Sequence, residues 1–196
     1  MFREDGEMMQ KRDYINIKTV GVALLFFLGM LFLINGSFIG TAKLMEVTGG
    51  QNILDMEFEG YSVEKAYTIL DALGEEGRAF NMKYIIPLDI IFPLSYGLFY
   101  FMALSLIAKH LFTKMKRFWL IGLVGFVGTL FDLAENIAVF RLLQNYPLKL
   151  PKTVEVASLF TQIKGTFTFI NMVLIALGLF ALIVCSIRRH TRQKGY

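Results

Sequence analysis

Four apolar stretches, at residues 19–40, 84–109, 118–142 and 165–187, decide what this chain folds into. Each is long enough for a helix rising about 1.5 Å per residue to cross a hydrocarbon core of about 30 Å. A bilayer offers backbone groups no hydrogen-bond partners, so such segments cross as helices, and the alternating pattern of a barrel strand is nowhere present. The expected fold is therefore all-α: a four-transmembrane-helix bundle in a cell membrane. The composition agrees, because 55% hydrophobic and 18% charged residues in a chain of 196 is too apolar for a soluble domain.

The flanking charges predict how the chain is threaded. Basic residues gather at Arg3, Lys11, Arg12 and Lys18, at Lys109, Lys114, Lys116 and Arg117, and at Arg188, Arg189, Arg192 and Lys194. Clusters of this kind mark the cytoplasmic side, so both termini, tails 1–18 and 188–196, are expected there. The segment 41–83 carries eight acids against four bases and is expected outside, as is the shorter loop 144–162. The +4 net charge thus reports topology, and no basic patch with interleaved aromatics points to nucleic acid. The first apolar run is longer than a signal-peptide core and follows several acids, so it reads as a retained anchor.

Within the outer loop, Ser62 followed by an acid at Glu64 and closed by Gly74 predicts a short helix. Val63, Ala66, Tyr67, Leu70 and Leu73 recur on one of its faces, which makes it amphipathic and places it across the mouth of the bundle, as a lid or as a plain cap. The glycines between positions 36 and 60 predict turns, with a short extended piece around residues 53–58. Pro147 and Pro151 belong to the second outer loop. Gly122, Gly125 and Gly128 in the third helix, and Gly21 and Gly29 in the first, are spaced for close helix approach or dimerisation.

The intramembrane polar residues converge on one leaflet. Asp89 lies one helical turn or so inside the outer edge of the second span, and Asp132, Glu135 and Asn136 approach the same depth from the third. Lys164, Thr168 and Asn171 share a face of the fourth at spacings of four and three, Tyr96 follows Asp89 by seven, and Asn35 and Ser37 end the first helix. An ionised acid at the bilayer centre costs about 2.5–3.5 kcal/mol, so three in one leaflet face one another or water. Asp89, Asp132 and Glu135 are therefore candidate catalytic acids or bases. Arg78, Tyr96, Asn136, Lys164, Thr168 and Asn171 are candidate substrate-binding groups. Divalent-cation ligation by the acids is a further option; no other cofactor is expected. The competing reading is a buried network in which Lys164 or Arg141 neutralises the acids and the asparagines tie helices together. Pro87 and Pro93 bracket Asp89 and bend its helix.

Missing residues narrow the chemistry. His110 and His190 both fall at cytoplasmic ends, which argues against a histidine-ligated zinc site, haem, or a Ser-His-Asp triad at the acids. Cys185 is the sole cysteine, so no intrachain disulfide forms, and its position predicts a buried thiol. Arg78 is expected to pair with Glu75 or Glu76 unless it holds an anionic head group.

Three stretches, LDALGEEGRAF at 70–80, PLDIIFPLSYG at 87–97 and LFDLAENIAV at 130–139, together resemble uncharacterised small four-helix bacterial integral membrane proteins. The resemblance implies a membrane bundle and draws attention to Arg78, Asp89, Pro93, Tyr96, Asp132, Glu135 and Asn136, and it implies no activity. The function expected from the residues is a site that binds or processes a membrane lipid or other amphiphile. The alternative is a noncatalytic accessory subunit whose acids stabilise the bundle or pair with a partner membrane protein or a second copy.

Overall fold

The computed structural model describes residues 14–50 and 53–194, and these are helical throughout apart from turns. The elements are α1 (Ile17–Ile34), α2 (Thr41–Thr48), a 3-10 turn (Leu54–Met56), α3 (Val63–Ala72), α4 (Gly74–Phe80), a π-helical segment (Asn81–Ile85), α5 (Ile86–Leu111), α6 (Trp119–Gly122), α7 (Gly125–Asn145) and α8 (Pro151–Lys194). Four continuous helical stretches are long and apolar enough to cross a membrane: Ile17–Ile34, Gly74–Leu111, Trp119–Asn145 and Pro151–Thr191. Most of the expected N-terminal tail lies outside the described residues.

Several boundaries differ from the sequence reading. α1 stops at Ile34, where Asn35 caps it by donating from Nδ2 to the Leu31 carbonyl at 2.9 Å. The extended piece around 53–58 is instead a 3-10 turn. The largest difference is α8, which begins at Pro151 and runs for 44 residues, about 66 Å. Proline at a first helical position lacks an N–H that would be unpaired anyway, so Pro151 starts this helix where it was expected to sit in a loop. The C-terminal part of α8 is little covered by the rest of the chain. Cys185 is accordingly exposed there, not buried.

α5 is the central element. α1, α7 and α8 all pack on it, and α7 packs along α8. The approach of α5 to α6 and α7 depends on glycine: a Cβ on Gly125 would stand 2.6 Å from the Phe101 backbone nitrogen, and one on Gly122 or Gly97 would overlap Ser105 or Thr129. Gly128 lies against α8, with Phe167 Cβ 3.4 Å from where its own Cβ would be. A Cβ on Gly21 or Gly29 would meet nothing within 4 Å among the described residues.

One end of the bundle is closed by α2, α3 and α4. Ser62 caps α3 by accepting from the Lys65 N–H at 3.2 Å, and Gly74 takes φ +64° to turn the chain from α3 into α4. The expected amphipathic face is realised: Ala66, Tyr67, Leu70 and Leu73 join Ile85, Val139, Leu142, Val154 and Ala157 in the largest buried apolar cluster. Tyr67 donates its hydroxyl to the Leu148 carbonyl at 2.9 Å and accepts from the Leu150 N–H at 2.7 Å, and the Tyr61 N–H donates to Ser158 Oγ at 2.8 Å. These bonds tie the cap to the α7–α8 turn and to α8, so α3 is a fastened cover.

Candidate functional site

Directly beneath the cap, α5, α7 and α8 bring buried polar side chains together. Glu135 is 0%, Asp132 4%, Asp89 7% and Lys164 7% exposed. The Lys164 ammonium lies 3.1 Å from Asp132 Oδ1 and 2.7 Å from Glu135 Oε2. Tyr96 donates to Asp132 Oδ2 at 2.8 Å, and Thr161 donates to Glu135 Oε1 at 2.6 Å. Asp132 and Glu135 are three apart on α7, and Thr161 and Lys164 are three apart on α8, so each helix offers two adjacent positions to the other. Lys164 is thus the neutralising cation; Arg141 is exposed.

Proline shapes the α5 side. Pro93 has no N–H, so the Asp89 carbonyl four residues earlier loses its helical partner. Asn136 fills the gap by donating Nδ2 to that carbonyl at 2.6 Å, and Thr129 donates to the Pro93 carbonyl at 2.9 Å. Asn136 therefore serves the backbone of the site. Replacing Asn136 with leucine, which keeps the volume and removes the donor, is expected to cost about 2 kcal/mol because a carbonyl is left unpaired in an apolar interior. Unfolding in mixed micelles measures the loss, and an unchanged midpoint would contradict the assignment.

The polar set faces a cavity of about 640 Å³, lined by residues from α1, the 3-10 turn, α5, α7 and α8. Asp89, Asp132, Tyr96, Lys164 and Thr168 line it, while Phe27, Leu31, Ile34, Phe92, Tyr100, Phe169 and Met172 make its apolar walls. It also contains an acid that sequence reasoning did not select. Asp55, on the 3-10 turn, is 6% exposed, lines the cavity and has no hydrogen-bond partner for either carboxylate oxygen among the described residues. Asp89 Oδ2 is likewise unpartnered. Asp55 lies within electrostatic reach of Asp89, Asp132, Glu135 and Lys164. The available signal was its setting, a lone acid in Ile53-Leu54-Asp55-Met56. Thr161 was missed because the fourth helix was expected to begin after it.

Two candidates fall elsewhere. Arg78 donates to the Leu70 carbonyl at 2.8 Å and stacks 3.8 Å above the Tyr146 ring, so it fastens α4 to α3 and to the α7–α8 turn and does not pair with Glu75 or Glu76. Tyr146 donates to Asp71, and that bond raises the phenol's pKa above its ordinary value. Asn171 is buried on α8 but does not line the cavity. His110 and His190 are exposed and distant in sequence from every cavity residue except those of their own helices.

No protein-family model, curated protein or solved structure matches the chain. The chemistry must therefore be read from the cavity itself. Among the described residues no group of three or more His, Cys, Asp or Glu side chains is placed to hold a metal ion. Between Asp132 and Glu135, the position a cation would take is filled by the Lys164 ammonium.

Proposed function

We propose that this protein binds an amphiphile drawn from the surrounding bilayer, with the polar head at the acids under the cap and the apolar chain between α1 and α8. The observation that carries this reading is where the cavity lies. α1 and α8 both pack on α5, and the cavity sits between them, with Leu31 from one side and Phe169 and Met172 from the other exposed along it. Those exposed apolar residues belong to segments long enough to cross a membrane, so the opening faces lipid tails, and its size suits a drug-sized or single-chain ligand. The cap end faces outward in this reading, because the opposite turn carries Lys114, Lys116 and Arg117.

Asp132, Glu135 and Lys164 have one another as partners, which favours a tie between α7 and α8 for this trio. That half of the polar set fits the noncatalytic reading. Asp55 and Asp89 do not, since both are buried and neither oxygen of Asp55 nor Oδ2 of Asp89 has a hydrogen-bond partner among the described residues. The reading is of binding; turnover by Asp89, Asp132 or Glu135 as acid or base is a step beyond it.

Gly165 supplies the test. It lines the cavity, and apart from its chain neighbours an added Cβ would meet only Phe58, at an ordinary 3.4 Å. Gly165→Leu is therefore expected to fill part of the cavity, and helix propensity favours leucine over glycine by about 1 kcal/mol. Native mass spectra of gently extracted protein are expected to show a specific amphiphile adduct on the wild type and its loss from Gly165→Leu at undiminished thermal stability. No adduct on the wild type, or equal adducts on both, would overturn the reading.

A further inference from the structure

The head-group end of the cavity holds more carboxyl groups than the protein satisfies. Asp55, Asp89 and Asp132 line it, Glu135 stands directly behind, and one ammonium, that of Lys164, serves the set. Lys164 is committed to Asp132 and Glu135. Both oxygens of Asp55 and Oδ2 of Asp89 are left without hydrogen-bond partners among the described residues, although each residue is more than nine-tenths buried. An unmade bond at a buried acceptor costs more than the bond itself contributes when formed, so these oxygens define what an occupant must supply, namely donors.

Charge narrows the choice further. A phosphate, sulfate or carboxylate head would place another negative charge among four carboxyl groups and offer acceptors to acceptors. A hydroxyl offers one donor and no charge. An ammonium offers donors together with the opposite charge, and charge-assisted bonds to carboxylates are the stronger kind. The adjoining wall is aromatic, with the Phe27 ring centroid 6.0 Å from that of Phe92 and 6.4 Å from those of Tyr96 and Tyr100, and aromatic faces attract organic cations. The place between Asp132 and Glu135 is already taken by the Lys164 ammonium.

We propose that the occupant is an amphiphile with an alkylammonium head, seated on Asp55 and Asp89 with its chain running out between α1 and α8. The proposal rests on the amphiphile reading above and adds its head-group class. Asp55 is brought to the site by a turn of only three residues between α2 and α3, so the cap itself contributes one of the two seats for the head.

The experiment uses the full chain in maltoside micelles, titrated below their micellar concentrations with decylamine, decyltrimethylammonium, decanol and decyl sulfate, reading binding by calorimetry and by the rise in unfolding midpoint. Decylamine is expected to bind at least about tenfold more tightly than decanol, with decyltrimethylammonium, which carries the charge but no N–H donor, between them and decyl sulfate weakest. Asp55→Asn is expected to remove most of that preference while leaving decanol affinity unchanged. Decanol binding as tightly as decylamine, with both blocked by Gly165→Leu, would overturn the head-group proposal and leave the amphiphile reading standing. Decyl sulfate binding best would do the same. No binding by any of the four would overturn both.

Discussion

Lys164→Met is expected to lower stability by about 3–5 kcal/mol, the largest loss from any single substitution at the site. The ammonium lies within 3.1 Å of two buried carboxyl groups on α7, and methionine fills a similar volume while leaving those groups facing each other without a cation. The penalty arises less from the attraction lost than from the uncompensated acids left inside an apolar bundle. A second variant separates these contributions. Adding Asp132→Asn and Glu135→Gln to Lys164→Met removes the orphaned charge, and most of the lost stability should return. The check is the midpoint of detergent-induced unfolding for the wild type, the single variant and the triple variant. A single variant as stable as the wild type would mean that the pairs do not hold α7 to α8.

Gly125→Val is expected to cost about 3 kcal/mol, toward the upper end for overpacking, because what its side chain would strike is backbone. A Cβ there would lie 2.6 Å from the Phe101 nitrogen and 2.9 Å from the Tyr100 carbonyl carbon, and neither can rotate away. α5 and α7 would have to separate, which would also loosen Tyr96 from Asp132 and Asn136 from the Asp89 carbonyl. Gly29→Val in α1 provides the contrast, since nothing lies within 4 Å of that position, and its unfolding midpoint should stay close to that of the wild type. Equal effects at the two positions would contradict the packing described for α5.

The four helices long and apolar enough to cross a membrane were legible because length and hydropathy decide them locally. The amphipathic cap helix was legible for a similar reason: a capping serine, a stop glycine and one apolar face are all written within residues 62–74. Convergence of Asp89, Asp132, Glu135 and Lys164 could be read from depth alone, since rise per residue converts sequence position into distance below the membrane edge. The partnership of Lys164 with both Asp132 and Glu135 could not, because it depends on how α7 and α8 are rotated against each other. Asp55 was hidden for a different reason. It lies in a loop with other acids, of which Glu59 is exposed and Glu57 pairs with Lys65, and only the folding of the 3-10 turn over the bundle separates it from them. Pro151 misled because proline marks a turn and a helix start equally well, and the residues that decide between them, Val154, Ala157 and Thr161, are buried only by tertiary packing.

The most direct test of amphiphile binding is photocrosslinking in native membranes from position 169. A benzoylphenylalanine placed at Phe169 sits on the cavity, and the same residue at Phe180, exposed farther along α8, serves as the reference for ordinary lipid contact. After irradiation, mass spectrometry of the adducts is expected to show one amphiphile class enriched at position 169 over the bulk lipid mixture captured at 180, and lost when Gly165→Leu is combined with it. The same lipid mixture at both positions, unchanged by Gly165→Leu, would contradict the account.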